Sequence, residues 1–123
     1  MAVADLDESI HMYTTLFGAE LIERVANEKE GLEAALMRMG DADLELMAPT
    51  RGDSPVGKFM AKRGPGLHHI AYEVGDIIKK LDEARAAGLD IIDATPRIGM
   101  HGTRIAFIHP KSAGGVLTEL VES

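Results

Sequence analysis

The chain carries the same residue pattern twice, and this internal repeat restricts the possible folds more than any other feature of the sequence. Val3-Ala4-Asp5-Leu6 corresponds to Val74-Gly75-Asp76-Ile77 at an offset of 71 residues. Leu44-Glu45-Leu46 corresponds to Thr118-Glu119-Leu120 at an offset of 74, which indicates that the second half has gained two or three loop residues. A chain of 123 residues with such a repeat is predicted to fold as two small modules of one type in a single domain.

Each half is predicted to contain a strand, a helix and three further strands. Apolar residues with helical spacing predict an amphipathic first helix, with Asp5 as its N-cap and Gly18 at its end. The remaining predicted elements are strands at 19–25, 32–39, 43–47, 67–74, 89–92, 103–108 and 115–121, a linker helix capped by Ser54, a helix between Asp76 and Gly88, and a glycine-rich loop at 95–102. This pattern predicts an α+β fold of two βαβββ modules, with module one at 1–48, a linker at 49–66 and module two at 67–123.

Composition and charge exclude several classes of function. The chain has 13 basic and 20 acidic residues and a net charge of −7, whereas a general nucleic-acid or membrane-surface binder needs a basic face. It has no cysteine, which excludes disulfides, thiolate metal sites and a cysteine nucleophile. The sequence shows neither a signal peptide nor an apolar run of membrane-spanning length, so we predict a cytoplasmic protein that binds no membrane.

Two carboxylates occupy equivalent positions on the last strand of each half. Glu45 and Glu119 each lie within an otherwise apolar strand, where a carboxylate costs free energy unless it is paired or bound to a metal. His69 lies on the first strand of the second half, and its counterpart would fall three residues before Met1. Taken alone, His69 fits a hydrogen-bonded core histidine. Together with the two glutamates, it supplies three of the four ligands of a pseudo-twofold site for a divalent first-row ion.

Several segments resemble those of the vicinal oxygen chelate (glyoxalase, bleomycin resistance and dioxygenase) superfamily, and within it those of the methylmalonyl-CoA epimerase family. They are residues 46–49, 53–59, 66–71, 96–99 and, most specifically, 109–120 with the sequence HPKSAGGVLTEL. The resemblance extends over nearly the whole chain. It implies that the two βαβββ modules form a half-open, barrel-like cleft.

The resemblance also implies a ligand set for a metal ion. His69 and Glu119 match the family's central histidine and C-terminal glutamate, and Glu45 matches a position that holds Glu or Gln. The family's fourth ligand, a first-strand histidine, has no counterpart here, which favours a missing N-terminal piece over a smaller ligand set. Nitrogen and oxygen ligands accept Co²⁺, Mn²⁺, Ni²⁺ or Zn²⁺, so the ligands do not choose among these ions.

The function implied by the resemblance is metal-dependent inversion of C2 of methylmalonyl-CoA through a metal-stabilised enolate. Glu119 is then both a ligand and one acid/base, and the second acid/base is Glu45, Glu33 or a metal-bound water. Coenzyme A phosphates require local cations on this acidic chain, and Lys62 and Arg63 extend a basic cluster after the linker helix. The predicted substrate-binding residues are Lys58, Arg97, Lys111, Ser112, Gly114 and Gly115.

Two other functions remain possible on the same fold. One is a glyoxalase I-like lyase acting on a glutathione hemithioacetal, and the other is a non-catalytic binding module of the resistance type. A homodimer is expected in each case, because a domain this small benefits from burying further apolar surface. The remaining histidines, His11, His68, His101 and His109, are expected to be solvent-exposed or structural.

Overall fold

Three helices and two sheets make up the structure, a computed structural model that describes residues 1–123 and divides into two units, Met1–His68 and His69–Ser123. This mixed architecture confirms the α+β fold class and is consistent with the βαβββ module; there is no closed barrel. None of the helices is long and apolar enough to cross a membrane. The division into modules at 1–48 and 67–123 with a linker between them stays a prediction.

The first unit is an antiparallel three-stranded sheet with two helices. Its elements are α1 (Leu6–Phe17), β1 (Glu20–Asn27), β2 (Leu32–Met39), β3 (Ala42–Pro49) and α2 (Pro55–Arg63), with strand order β1-β2-β3. The core of this unit contains Val3, Leu6, Ala19, Ala35, Met37 and Leu46. The predicted helix and strands are therefore confirmed, with strand ends extended by up to two residues.

Local capping explains where the two helices of this unit begin. The Asp5 carboxylate accepts a hydrogen bond from the Glu8 amide at 2.9 Å, and Gly18 ends α1 in the left-handed conformation with φ 65°. Ser54 is buried; its hydroxyl accepts from the Gly57 amide at 3.0 Å and donates to the Arg51 carbonyl at 2.7 Å. These contacts confirm the sequence-predicted caps.

The second unit is a four-stranded sheet with one helix on it. Its elements are β4 (His69–Val74), α3 (Ile77–Ala86), β5 (Arg97–Ile98), β6 (Arg104–Ile108), a 3₁₀ turn (Pro110–Ser112) and β7 (Leu117–Glu122), with strand order β4-β7-β6-β5. Strands β4 and β7 are parallel, and the other pairs are antiparallel. The core contains Ile77, Leu81, Ala84, Ala106, Ile108 and Leu120.

The parallel pairing of β4 with β7 has a short counterpart in the first unit. Ala2 forms a parallel bridge to Met47, while Glu73 pairs in parallel with Val121. These two pairs are related by the offsets of 71 and 74 residues found in the sequence repeat. The repeat therefore extends to strand register. On its other side, Ala2 forms an antiparallel bridge to Gly66.

Two predictions for the second half are wrong. The strand predicted at 89–92 is an irregular segment with a single bridge, Ile91 to Ile108. The Leu89 and Asp90 amides bond to the Ala84 carbonyl and the Ser112 hydroxyl, neither of which is on a strand. The amides of Ile92 and Asp93 both turn to the Phe107 carbonyl. Two amides directed at one acceptor cannot continue a ladder with one bond per residue. The loop predicted at 95–102 contains the short strand β5, which pairs with β6.

Candidate active site

His69 and Glu119 form a buried pair on the two parallel strands of the second unit. His69 is the first residue of β4, and Glu119 lies on β7 in register with Ala71. Side chains two apart along a strand point to the same face, which brings the imidazole and the carboxylate together. His69 Nε2 and Glu119 Oε2 are 2.9 Å apart, and the two side chains are only 8% and 12% exposed. A buried nitrogen and oxygen donor are thereby held side by side.

The ring of Phe107 packs against His69 of this pair and is also in contact with Arg97. Phe107 on β6 is the cross-strand neighbour of Glu119, and its ring meets the His69 ring edge-on at 5.7 Å and 86°. The Arg97 guanidinium carbon lies 5.5 Å from the centre of the Phe107 ring, and Arg97 Nε is 3.4 Å from Asp93 Oδ1. Asp93 Oδ2 accepts a hydrogen bond from the Phe107 amide at 2.9 Å. Asp93 therefore contacts both the backbone of Phe107 and the cation beside its ring.

Neither Phe107 nor Asp93 was predicted from the sequence to belong to the site. The antiparallel pairing of β6 with β7 places Phe107 opposite Glu119, and this register is known only from the structure. Asp93 lies in the irregular segment before β5, where the sequence has no periodicity from which its direction could be predicted.

Glu45 lies in the first unit, half-buried on β3. The residues that follow the two glutamates, Leu46 and Leu120, are 0% and 5% exposed, so both carboxylates are on the opposite side of their strand from a core leucine. The Glu45 carbonyl accepts a hydrogen bond at 2.9 Å from the amino group of Met1. Burial lowers the pKa of that amino group, and the negative charge of Glu45 partly offsets the effect.

The structure thus brings two of the three predicted metal ligands together. Within either unit, no group of three or more His, Asp or Glu side chains is placed to hold a metal ion. The complete set of His69, Glu119 and Glu45 stays a prediction.

The predicted substrate-binding residues of the 109–120 segment are arranged around Asp90. Lys111 Nζ is 3.0 Å from Asp90 Oδ2, and the Ser112 hydroxyl accepts a hydrogen bond from the Asp90 amide at 2.9 Å. Gly114 and Gly115 both have positive φ, 68° and 89°, which a residue with a Cβ adopts only with strain. The two glycines are therefore required by the turn itself.

Of the other two predicted substrate-binding residues, Arg97 contacts Phe107 and Asp93 as described, and Lys58 is exposed on α2 in the first unit. Glu33, a candidate second acid/base, is held by Arg24, whose Nε lies 2.6 Å from Glu33 Oε1. Arg24 also binds Asp7 at 2.5 Å, and these hydrogen bonds raise the pKa of the guanidinium. Glu33 is thus part of a surface ion-pair group.

Three of the remaining histidines, His11, His68 and His109, agree with the exposed or structural positions expected for them, and the role of His101 stays a prediction. His68 packs edge-on against Phe59 at 5.0 Å. His109 caps the 3₁₀ turn, its Nδ1 accepting a hydrogen bond from the Lys111 amide at 3.1 Å. His11 is exposed on α1.

Comparison with known proteins places the chain in a family. Residues 1–107 match the family model of the Glyoxalase/Bleomycin resistance protein/Dioxygenase superfamily. The chain belongs to this superfamily. The resemblance recognised in the sequence is therefore confirmed.

The most similar superfamily members include epimerases. The chain is 38% identical over 123 residues to the mitochondrial methylmalonyl-CoA epimerase of Dictyostelium discoideum, which covers 99% of this chain and 74% of that protein. The crystal structure of methylmalonyl-CoA epimerase from Mycobacterium tuberculosis is 41% identical, with a TM-score of 0.91 over 98% of this chain and 82% of that chain. A methylmalonyl-CoA epimerase in complex with methylmalonyl-CoA and NH4+ is 40% identical, with a TM-score of 0.92 over 99% of this chain and 89% of that chain.

Proteins of this superfamily typically bind a divalent metal ion, and the donor chemistry of the buried pair fits such an ion. One imidazole nitrogen and one carboxylate oxygen are ligands that Co²⁺, Mn²⁺, Ni²⁺ and Zn²⁺ all accept. Catalytic sites for such ions commonly use three protein ligands, with positions left open for substrate. His69 and Glu119 would supply two of them.

Proposed function

We propose that this chain is a metal-dependent epimerase that inverts C2 of methylmalonyl-CoA. Its relatives make it an isomerase of the epimerase type acting on an acyl-CoA. The observation that carries the proposal is the buried His69–Glu119 pair in a chain that is 38–41% identical to epimerases for this substrate.

The chemistry requires an acid/base and a means of stabilising negative charge. The proton on C2 lies between a thioester and a carboxylate, so its removal gives an enolate. A divalent ion held by His69, Glu119 and, as predicted, Glu45 would supply Lewis-acid stabilisation of that charge, an effect of several kcal/mol. Co²⁺, Mn²⁺, Ni²⁺ and Zn²⁺ are all compatible with these residues.

Inversion requires that a proton leave one face of C2 and return to the other. Two acid/base groups, one on each face, are the simplest arrangement. We assign Glu119 to one face, because its carboxylate is buried and its Oε2 is held at 2.9 Å from His69 Nε2. Glu45 is proposed for the other face in preference to Glu33, because Arg24 already holds the Glu33 carboxylate.

Six residues remain proposed contacts for the substrate, and they differ in how available they are. Arg97 and Lys111 have carboxylate partners, Asp93 and Asp90, so binding a substrate anion would require an exchange of partner. Lys58 forms no ion pair, although its charge helps to lower the pKa of Asp53. The other three are Ser112, Gly114 and Gly115 of the turn before β7.

The decisive experiment is exchange of the C2 proton of methylmalonyl-CoA in deuterated water. We expect exchange that is lost with a chelator and restored by Co²⁺. Glu119→Gln should abolish exchange and leave the fold intact. Glu73 is an exposed glutamate on β4, and the Glu73→Gln variant should catalyse exchange of the C2 proton at the wild-type rate. Exchange by the Glu119 variant within about tenfold of wild type would remove Glu119 from its assigned role.

The lyase and the non-catalytic binding module are not favoured, because the relatives described above are epimerases. Both remain measurable outcomes. Isomerisation of the methylglyoxal–glutathione hemithioacetal in the absence of exchange at C2 would indicate a lyase, and absence of both activities in metal-loaded protein would indicate a binding module.

We further propose a homodimer and a cytoplasmic location. Leu16 and Phe17 at the end of α1 are 69% and 60% exposed, and a small domain benefits from burying such surface. Sedimentation of the purified chain tests the dimer, and fractionation of the native cell tests the location.

A further inference from the structure

We propose that the exposed face of α2 binds the phosphate groups of the acyl-CoA, with Lys58 and Lys62 contacting phosphate directly and Arg63 beside them. The inference rests on the proposed function, since that function names the acyl-CoA as ligand. It also discriminates among the predicted contacts, because it assigns the phosphates to α2 and not to Arg97 or Lys111.

The first argument is the distribution of positive charges without a partner. The chain has 13 basic and 20 acidic residues. The basic residues in ion pairs with carboxylates are Arg24, Arg38, Arg51, Lys80, Arg85, Arg97, Arg104 and Lys111. Five form no such pair: Lys29, Lys58, Lys62, Arg63 and Lys79. Three of these five lie on the nine residues of α2.

The second argument is that α2 presents these cations without acidic residues among them. The helix PVGKFMAKR contains no Asp or Glu, and Val56 and Gly57 are its buried residues. Lys58 and Lys62 are four residues apart, so they are neighbours on one exposed side. The nearby carboxylate of Asp53 is bound by Arg51, whose Nε is 2.9 Å away. Arg51 is the main cause of the lowered pKa of Asp53, and the charge of Lys58 makes a smaller contribution.

The third argument concerns Phe59, which holds the end of the helix in place. The Arg63 guanidinium carbon lies 5.8 Å from the centre of the Phe59 ring, and the ring of His68 meets Phe59 at 5.0 Å and 70°. A guanidinium held over an aromatic ring keeps its N–H donors free, and those donors match phosphate oxygens in pairs. Arg63 therefore lies at the end of the same helix as the two lysines and forms no ion pair with a carboxylate.

The competing cations of the second unit are less available for the same ligand. Arg97 and Lys111 lie 3.4 Å and 3.0 Å from carboxylate oxygens, and Arg104 makes two contacts of 2.8 Å with Glu122. A phosphate would have to displace a carboxylate at each of them, whereas Lys58, Lys62 and Arg63 form no ion pair with a carboxylate and only the charge of Lys58 acts on one, that of Asp53.

The test is binding of coenzyme A and of adenosine 3′,5′-bisphosphate to the full chain, measured by calorimetry without turnover. For the double variant Lys58→Glu/Lys62→Glu we expect the Kd for coenzyme A to rise by roughly tenfold or more, since charge-assisted contacts are of that strength. KM for methylmalonyl-CoA should rise by a similar factor with little change in kcat. KM for methylmalonyl-pantetheine, which lacks the phosphates, should stay at the wild-type value.

The matched control is the double variant Lys29→Glu/Lys79→Glu, which makes the same change of charge with two other unpaired lysines. It should bind coenzyme A within about twofold of wild type, because Lys29 precedes β2 and Lys79 lies on α3, so neither lysine is on α2. Lys58→Ala/Lys62→Ala, which adds no negative charge, should lose affinity in the same direction and replaces the glutamate variant if that one fails to fold.

Three results would overturn the inference. They are coenzyme A binding by the α2 variants within about twofold of wild type, an equal loss in the control, and absence of binding to the wild-type chain. Failure of the proposed function is distinguishable, because coenzyme A would then bind through α2 while C2 of methylmalonyl-CoA did not exchange.

Discussion

Phe107 packs against His69 of the His69–Glu119 pair, and a substitution at Phe107 tests whether this contact orients the imidazole. Phe107→Leu keeps the backbone bonds to Asp93 but removes the aromatic ring that contacts His69 and the Arg97 guanidinium. We expect a loss of about 1–2 kcal/mol in the free energy of unfolding, from lost packing and a lost cation–π contact. Affinity for Co²⁺ should fall as well, because the imidazole loses the wall that orients it.

Urea unfolding and a Co²⁺ titration measure these two effects. Tyr72→Leu is the matched control, since that ring is on the same sheet, is 57% exposed and makes no ring contact. Unchanged Co²⁺ affinity in the Phe107 variant, together with the expected loss of stability, would show that Phe107 contributes packing without orienting His69.

Among single residues, the members of the candidate site could be predicted from the sequence only where the internal repeat indicated them. Glu119 was found because Glu45 occupies the matching position, and His69 because a buried carboxylate needs a partner. Phe107 and Asp93 have no counterpart in such a pattern. Their roles arise from strand register and from a turn, which are fixed by tertiary contacts.

Among the elements, α2 packs closely against the turn that precedes it, and this packing requires a glycine at position 57. A Cβ at Gly57 would lie 2.6 Å from the Arg51 carbonyl oxygen and 2.8 Å from that of Gly52. Alanine is favoured over glycine within a helix by up to about 1 kcal/mol, but a clash with two backbone carbonyls costs about 1–3 kcal/mol. Gly57→Ala should therefore destabilise the chain.

Comparing the thermal unfolding of Gly57→Ala with that of Gly52→Ala tests whether this close packing is required. Nothing lies within 4 Å of a Cβ at Gly52, and its φ is not positive, so that variant should match the wild type or exceed it. A Gly57 variant as stable as the Gly52 variant would mean that the turn moves away from α2 without cost.

Helices were predicted more accurately than strands, and the reason is the range of the forces involved. Asp5, Ser54 and Asp76 cap helices through bonds to amides only three residues away, so the signal is contained in the local sequence. The segment at 89–92 has the apolar residues of a strand, yet the Asp90 amide bonds to the Ser112 hydroxyl and the Ile92 amide to the Phe107 carbonyl. These acceptors lie on different elements, 22 and 15 residues further along the chain.

For the whole molecule, the repeat in the sequence predicted the repeat in the architecture. The same offsets relate the helix caps Asp5 and Asp76 and the bridge pairs Ala2–Met47 and Glu73–Val121. The corresponding pairs are parallel in both halves, so the repeat extends from residue types to strand pairing.

One carboxylate that joins three elements of the second unit makes the stability of the fold depend on pH in the acid range. Glu122 on β7 accepts two bonds of 2.8 Å from Arg104 on β6 and one of 3.0 Å from the Ile77 amide that begins α3. Arg104, and after it the Ile77 amide, lower the pKa of Glu122 below its usual 4.5. A carboxyl group with a lowered pKa in the folded state binds a proton more readily in the unfolded state. Its contribution to stability is therefore complete above pH 4.5 and is lost as the pH falls through the lowered value.

We expect Glu122→Gln to lower the urea midpoint at pH 7 and to make that midpoint less dependent on pH between 5 and 3 than in the wild type. Glu73→Gln changes the same charge on the neighbouring strand without these bonds, so it should keep the acid dependence of the wild type. Parallel pH profiles for the Glu122 variant and the wild type would mean that other carboxylates, among the 20 acidic residues of the chain, cause its acid unfolding. The link between β7, β6 and the start of α3 would then contribute packing and no charge-dependent stability.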